Sequence, residues 1–491
     1  MAILAASCGR PAVETPLYSS NANDLMGVGP TVAPATAVLP GFLFIAPVKS
    51  RFSYLLDTQG KELHRWESAY FPGTNTELLD DGSILRCARV VNSPGLSAGG
   101  QGGRLQRIGW NGALLWDYEF ATEQYLHHHD AALMPNGNVL LLAWERKLAA
   151  EASARGRDPE LLPGEIFWPD WIAEVRPLPP TGGEIVWEWH AWDHIVQDYD
   201  PAKAGYGKPA EHPELIDMNG DRFWRTKSAE EQAAEAEHLV ALGYAAGTPD
   251  PRSEGQAGAP PAGSFAAEPD WMHANSIAYH SGLDLIVISV RRFNEAWVID
   301  HSTTSAEAAS HAGGRHGRGG DLLYRWGNPR AHGAGGREDQ LLFFQHHVSW
   351  IPQGMPGAGN FLCFNNGEDR PDGTYSTIEE WRMPIAPSGR ILAGPDQTLW
   401  RYVGQPKEKF YSSFLSGAQR LPNGSTFITE GETGRLLEVA QDGKLLWQWQ
   451  NPFGGEEGQT AVSGRSARAP KKALFRAYKI PLDHPVSALL K

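Results

Sequence analysis

His129, His273 and His346 stand at matching places in three related segments: His129-Asp-Ala-Ala-Leu-Met-Pro-Asn-Gly-Asn138, His273-Ala-Asn-Ser-Ile-Ala-Tyr279 and His346-His-Val-Ser-Trp-Ile-Pro352. In the first and third the histidine lies six residues before a proline, and a β-rich apolar run follows. Ser416 and Thr74 hold the same offset ahead of Asn423-Gly424 and Asp81-Gly82. Imidazole can act as a nucleophile, exchange protons or ligate a metal. Two further donors join this set: Asn275 shares a strand face with His273, and a hairpin leaving His273 returns Arg291 to its starting point. Guanidinium, amide and imidazole together suit an oxyanion, whether sulfate, phosphate or carboxylate.

Such a set converges only if the repeats surround an axis. A turn followed by a short strand carrying Trp recurs six times, ending at Trp66, Trp116, Trp187, Trp326, Trp400 and Trp447. Where no insertion intervenes, the period is roughly 45 to 50 residues, the length of a β-propeller blade. Gly ahead of alternating apolar residues marks a hairpin turn entering a strand, and each Trp offers a large face for packing between sheets. The expected fold is therefore all-β, a six-bladed β-propeller with helical and loop insertions, whose innermost strands place one register around the channel mouth. Phe42 to Leu56 and Phe475 to Ile480 are expected to share the closing of the ring.

Residues 1–39 read as an extended N-terminal segment, 40–480 as the propeller, and 481–491 as a tail. Insertions fall at about 145–165 and 190–268. The first is helical around Arg146 to Ala154, and the second opens a helix at the capping box Ser228-Ala-Glu-Glu231 before an Ala-, Gly- and Pro-rich loop over 245–268. Both lie near the histidine-bearing blades, as a lid, a homodimer surface or solvated decoration. Adjacent strand residues face opposite ways, so one histidine from each run, His129 and His346, is expected in the ring.

With 43 basic against 57 acidic residues, a net charge of -14 argues against nucleic acid or an anionic membrane as partner. No apolar run approaches the roughly 18 residues needed to span a bilayer. Cys8, Cys87 and Cys363 are too few and too scattered for a disulfide framework or a zinc site, and the latter two read as buried inert thiols. Met1-Ala-Ile-Leu-Ala-Ala-Ser-Cys8 looks like the end of a lipoprotein signal that lacks its basic and most of its apolar part. A start assigned too late would leave that remnant, so a periplasmic protein or an anchored lipoprotein is expected, with a cytoplasmic protein as the alternative.

Neither a Gly-x4-Gly-Lys-Ser/Thr loop nor a Gly-x-Gly-x2-Gly unit between strand and helix is present, so no nucleotide sulfonate donor and no cofactor is expected. A Gly-x-Ser-x-Gly elbow with a helix behind it is also missing. The runs His127-His128-His129-Asp130 and His346-His347 keep a metal reading open. An arginine at the centre repels a cation, and the preferred reading has no metal.

The segments His128-His-Asp130 with Leu133-Met-Pro-Asn-Gly-Asn138, Asp270-Trp-Met-His-Ala-Asn-Ser276, Ser289-Val-Arg291, Gln345-His346 with Phe364-Asn-Asn-Gly367, and Ser416-Gly-Ala-Gln-Arg-Leu-Pro-Asn-Gly424 resemble the bacterial arylsulfate sulfotransferases. The resemblance covers about 120–480. It implies a six-bladed propeller and a ping-pong transfer of a sulfuryl group from an aryl sulfate to a phenol, through a sulfohistidine and without a nucleotide cofactor. Matched residue by residue, it makes His346 the nucleophile, with His273 and Arg291 as catalytic partners and His129, Asn275 and Ser416 at the substrate. Neutral imidazole, with an ordinary pKa of about 6.5, is a competent nucleophile near neutral pH. Charge on the transferring oxygens calls for cationic donors, and a second histidine can protonate the departing phenolate. His347 departs from the Asp expected after the nucleophile, and residues 330–345 lack the cysteines that periplasmic members can carry there. Trp187-Glu-Trp189 and Phe475-Arg-Ala-Tyr478 mark a branch of the family. Two other readings stand beside this one: a non-catalytic propeller that holds an anion in its channel, and a metal-dependent lyase or hydrolase.

Overall fold

The computed structural model describes residues 37–223 except 91–95, 97 and 163, residues 269–454 except 387–389 and 392–397, residues 472–491, and Glu230, Glu231, Ala234, Glu237 and His238. Cys8, Ser228 and the stretch 245–268 lie outside the described residues.

Six four-stranded antiparallel sheets form the blades of a propeller. Blade 1 joins the two ends of the chain: its innermost strand Leu474–Pro481 is followed outward by Gly41–Pro47, Phe52–Leu56 and Glu62–Glu67. Phe42 pairs with Ile480 and Phe44 with Tyr478, so the ring is closed by hydrogen bonds between the chain ends, as the sequence suggested. Blades 2 to 6 run in chain order. Their innermost strands are Pro72–Leu78, Tyr125–Leu133, Ala274–His280, His346–Trp350 and Gly417–Arg420.

Each blade presents apolar residues on both faces because a neighbour covers each side. Val139–Glu145 and Leu285–Val290 are buried along their whole length, and these second strands are correspondingly Val-, Leu- and Ile-rich. The core is accordingly divided among the seams. Leu140, Ile172, Ile277 and Ile288 pack between blades 3 and 4, while Val287, Val348 and Cys363 pack between blades 4 and 5.

All six recurring tryptophans lie in the outermost strand of a blade. Three of them latch onto the following blade: the indole Nε1 of Trp116 donates to Gly182 O at 2.7 Å, that of Trp187 to Thr303 Oγ1 at 3.1 Å, and that of Trp400 to Gln441 O at 2.7 Å. The Trp repeat therefore marks the outer perimeter of the propeller, and the His repeat marks its inner one.

The first insertion is a small hairpin, Lys147–Leu148 against Ile166–Phe167, carrying a helix over Ala149–Ala154. The second begins with Ile195–Val196 beside Ile216–Asp217. The two insertions pack on each other: buried Arg157 donates to Met218 O at 2.7 Å and pairs with Asp221, and Asp158 N donates to Asn219 Oδ1 at 2.9 Å. Farther along the second insertion, His238 contacts blade 6 through Glu432 Oε1 at 2.9 Å and stands beside the Phe414 ring. In the final segment, Val486 is buried against blade 1 with Phe44 and Leu55.

Cys87 and Cys363 are buried in strands, and burial pushes both thiols up, the condition of an unreactive cysteine. Among the described residues, no helix is long and apolar enough to cross a membrane.

Candidate active site

The innermost strands are irregular where the histidines sit. In blade 3, His128 pairs with Leu142 and Ala131 with Leu141, so extra residues bulge out of the ladder; blade 5 does the same between His346 and Ser349. His129, His273, His347 and Ser416 all take positive φ, at 53°, 54°, 55° and 90°. A left-handed residue breaks the alternation of side chains, and bulges of this kind re-aim side chains at functional sites. Neighbours can then face the same way: the Nδ1 atoms of His128 and His129 are 2.8 Å apart. For the first run this corrects the expectation that only one histidine points inward. By bulge register, moreover, His347 rather than His346 corresponds to His129.

His346, 1% exposed, is held in a defined tautomer. Its Nδ1 lies 2.8 Å from Asn366 Oδ1, while the Asn366 amide nitrogen donates to Ser412 O at 2.8 Å and Leu415 O at 3.2 Å. The amide orientation is thus fixed, and its oxygen can only accept, so the imidazole proton resides on Nδ1. Nε2, with the lone pair, is buried without a partner among the described residues. Burial, and then the nearby Arg291 charge, hold the His346 pKa well below its ordinary value, so the ring is neutral. His347 turns elsewhere: its Nδ1 accepts from Ala418 N at 3.1 Å in blade 6.

His273 and His129 face each other edge to face, their ring centroids 4.6 Å apart. Asp270, wholly buried, accepts from the His273 backbone N–H at 3.0 Å and holds the ring Nδ1 at 2.5 Å. Burial alone would raise the Asp270 carboxyl, but the charges of His273, Arg292 and His128 outweigh it and hold the pKa at about 2. On the other flank, His128 stacks on Trp144 with centroids 4.4 Å apart, and its Nε2 lies 3.3 Å from Asp170 Oδ1. Two buried carboxylates thus bracket the ring of imidazoles. His129 is kept neutral by burial first, then by His273, His128, His346 and Arg291, which places all five groups in one electrostatic neighbourhood. Gly100 makes the room: a Cβ there would fall 2.1 Å from His129 Nε2.

Arg291 returns beside His273 as the hairpin reading required, its backbone N–H donating to His273 O at 3.3 Å. Arg291 is buried, and its guanidinium lies against Phe344 and Phe414 and reaches Glu368 Oε2 at 3.4 Å. Phe414 is also the ring that His238 of the second insertion approaches, with ring centroids 6.0 Å apart.

Three other expected residues are near the ring but engaged otherwise. Asn275 donates one amide N–H to Gln345 O at 2.7 Å, which fixes the backbone leading into His346 and leaves its second amide hydrogen outside that bond. The Ser416 hydroxyl accepts from Gly431 N at 2.9 Å and reaches Phe414 O at 3.3 Å, local bonds that offset its left-handed backbone. Thr74 donates to His129 O.

Asn366, Asp270, Asp170 and Arg476 take places that motif spacing did not assign. Arg476, from the closing strand, pairs with Asp130 at 2.9 Å and donates to Asn275 O at 3.2 Å. Asp130, open to a metal-ligand reading in sequence, therefore neutralises an arginine. Asn366, Asp270 and Arg476 all sit inside quoted motifs, but the first two reach their histidines through local backbone and rotamer detail and the third through the assembly of the blades.

The fold is similar to that of solved structures at low identity. A protein of unknown function from Bacteroides caccae is 11% identical, with a TM-score of 0.42, over 90% of this chain and 99% of that one. The periplasmic gluconolactonase PpgL of Pseudomonas aeruginosa is 10% identical, with a TM-score of 0.37, over 86% of each chain. The β-propeller domain of Cps50 (Swd1) from Myceliophteria thermophila is 7% identical, with a TM-score of 0.36, over 86% of this chain and 90% of that one. No curated protein matches the chain significantly. The arylsulfotransferase (ASST) family model does match, over residues 30–445. The chain belongs to the arylsulfotransferase family, and that membership supports aryl sulfotransferase activity in general.

Proposed function

We propose that the protein moves a sulfuryl group from an aryl sulfate ester to a phenol by a ping-pong route through His346, without a nucleotide cofactor. The observation that carries this reading is the His346 ring: Nδ1 anchored on Asn366, and Nε2 buried with no partner among the described residues. A buried nitrogen lone pair left unsatisfied is costly unless a ligand meets it.

In the first half-reaction His346 Nε2 attacks sulfur as the S–O bond to the aryl oxygen breaks, and the departing phenolate takes a proton from His273 Nε2. In the second, the acceptor phenol returns a proton to His273 Nε2, its oxygen attacks sulfur, and the N–S bond breaks. Ionised Asp270 keeps His273 in position and offsets its charge when it carries both protons. Arg291 and His129 are placed to hold the sulfuryl oxygens, where preorganised donors stabilise developing charge. Asn275 holds the backbone ahead of the nucleophile with one amide N–H, while Ser416 bonds the backbone of blade 6.

Mixing the protein with an aryl sulfate and no acceptor, then mapping the modified peptide by mass, tests the proposal. One acid-labile sulfuryl group on His346, discharged by added phenol, is the expected result. Bound sulfate ester with no adduct would instead favour a propeller that only holds an anion.

Asn366 is assigned to positioning. Asn366→Ala frees the imidazole to rotate and to change tautomer, and misplacement on this scale costs about 10²-fold in kcat. KM for the aryl sulfate should hold, because the donors to sulfate remain. Measuring kcat and KM separately checks this: a rise in KM alone would place Asn366 in binding instead.

A further inference from the structure

A second cluster of chemically capable side chains lies at the rim of the propeller, away from the histidine ring. His194 follows the outermost strand of blade 3, Gly183–His190; His311 and Asp321 lie in the connection between Glu295–Asp300 and Tyr324–Trp326 of blade 4. His194 Nδ1 is 2.8 Å from Asp321 Oδ1, and His311 Nδ1 is 2.7 Å from the same oxygen. Among the described residues this is the only group of three such side chains whose ligand atoms all lie within 4.8 Å of one another.

The tautomer of His194 makes the arrangement informative. Its Nε2 lies 2.8 Å from Ala308 O, which can only accept, so Nε2 carries a proton. The neutral ring then turns the Nδ1 lone pair toward a carboxylate oxygen, which can also only accept. The contact needs a shared proton or a cation lying beside it, and His311 presents a second ring nitrogen to the same oxygen. Added protons satisfy this geometry by making two imidazoliums share one oxygen; a single divalent cation satisfies it with both rings neutral.

The surroundings are those of a built site. His194 is fully buried and stacks on Trp189 at an interplanar angle of 3°, with Trp189 Nε1 donating to Gly320 O at 2.7 Å. A Cβ at Gly320 would come within 2.6 Å of His194 Nε2, so the glycine lets the ring lie flat in its slot. A histidine that donates its far nitrogen to a backbone carbonyl is the usual outer-shell support of a metal ligand.

We propose that His194, His311 and Asp321 bind one zinc-class divalent transition-metal ion, which ties the chain leaving blade 3 to the loop of blade 4. Two imidazoles and one carboxylate suit zinc, cobalt or nickel rather than calcium or magnesium, which take oxygen ligands. The His311 side chain is 62% exposed, so the remaining coordination position opens to water.

The test uses the full chain, stripped with chelator and titrated with zinc chloride by calorimetry and thermal unfolding. One equivalent should bind and raise Tm. In His311→Ala, whose exposed side chain the fold does not require, affinity should fall by about tenfold or more and the Tm gain should disappear. Asp321→Asn, close in shape, should behave the same way, and His212→Ala, a half-buried histidine outside the cluster, should match the parent. No stoichiometric uptake by the parent, or equal uptake and Tm gain in His311→Ala, would overturn the proposal.

Discussion

His346→Ala is expected to lower the transfer of sulfate from an aryl sulfate to a phenol by about 10⁴-fold or more, the scale on which losing a covalent nucleophile acts. The effect should fall on kcat, because Arg291, His129 and His273 remain to receive the sulfate. Truncation leaves a cavity beside Asn366 and costs some stability, so His346→Gln, which keeps most of the volume, serves as a second variant. Both should remain folded by circular dichroism and neither should take up a sulfuryl group. Asn366→Ala, in contrast, should still form the adduct, more slowly. Unchanged turnover in both His346 variants would move the chemistry to another imidazole and refute the mechanism.

The neutrality of His346 was readable only in part from sequence. Spacing brought His129, His273, His346 and Arg291 to one channel mouth, because a propeller turns sequence register into radial position. It did not resolve the bulges. A two-residue alternation rule puts His128 and His129 on opposite faces, whereas positive φ at His129 brings their Nδ1 atoms to 2.8 Å. The rule presupposes extended backbone, and sequence gives no direct sign that a histidine adopts the left-handed region.

The groups that orient the ring were harder to recognise for a different reason. Asn366, just past the end of the neighbouring strand, and Asp270, three residues upstream, act on histidines of their own blade, where rotamers decide the contact. Arg476 reaches Asp130 across the closure between the two ends of the chain. Fold class, by comparison, rests on many weak repeats that agree: six tryptophans, six turns and one period. Any of these can be displaced without changing the conclusion. A site depends on single atoms, and no redundancy protects it.

One consequence of burying so many imidazoles is a sensitivity to acid, and His127 isolates it. The side chain is fully buried in the innermost strand of blade 3, next to Gly102 and outside the proposed sulfate contacts. Its Nδ1 accepts from Gly103 N at 3.2 Å, so a proton added there would meet an N–H already pointing at it. Burial first, and then the His128 charge, lower its pKa from 6.5 to about 3. Between those limits the unfolded chain binds a proton at this position and the folded chain does not, so stability is fully present above pH 6.5 and is lost as pH falls. The slope is about 1.4 kcal/mol per pH unit for one proton, or about 2 kcal/mol between pH 6.5 and 5. Glu77 acts in the opposite sense: burial, reinforced by Asp130, raises its pKa to about 7, so acid stabilises the fold through it. That contribution is shared by any His127 variant and cancels in a comparison. His127→Gln keeps an acceptor for Gly103 N but does not titrate. Urea unfolding at pH 7.5 and 5 should therefore show the parent losing about 2 kcal/mol more than the variant over that interval. Equal losses would mean that His127 takes up its proton in the folded state, as it can only if water or a carboxylate reaches the ring.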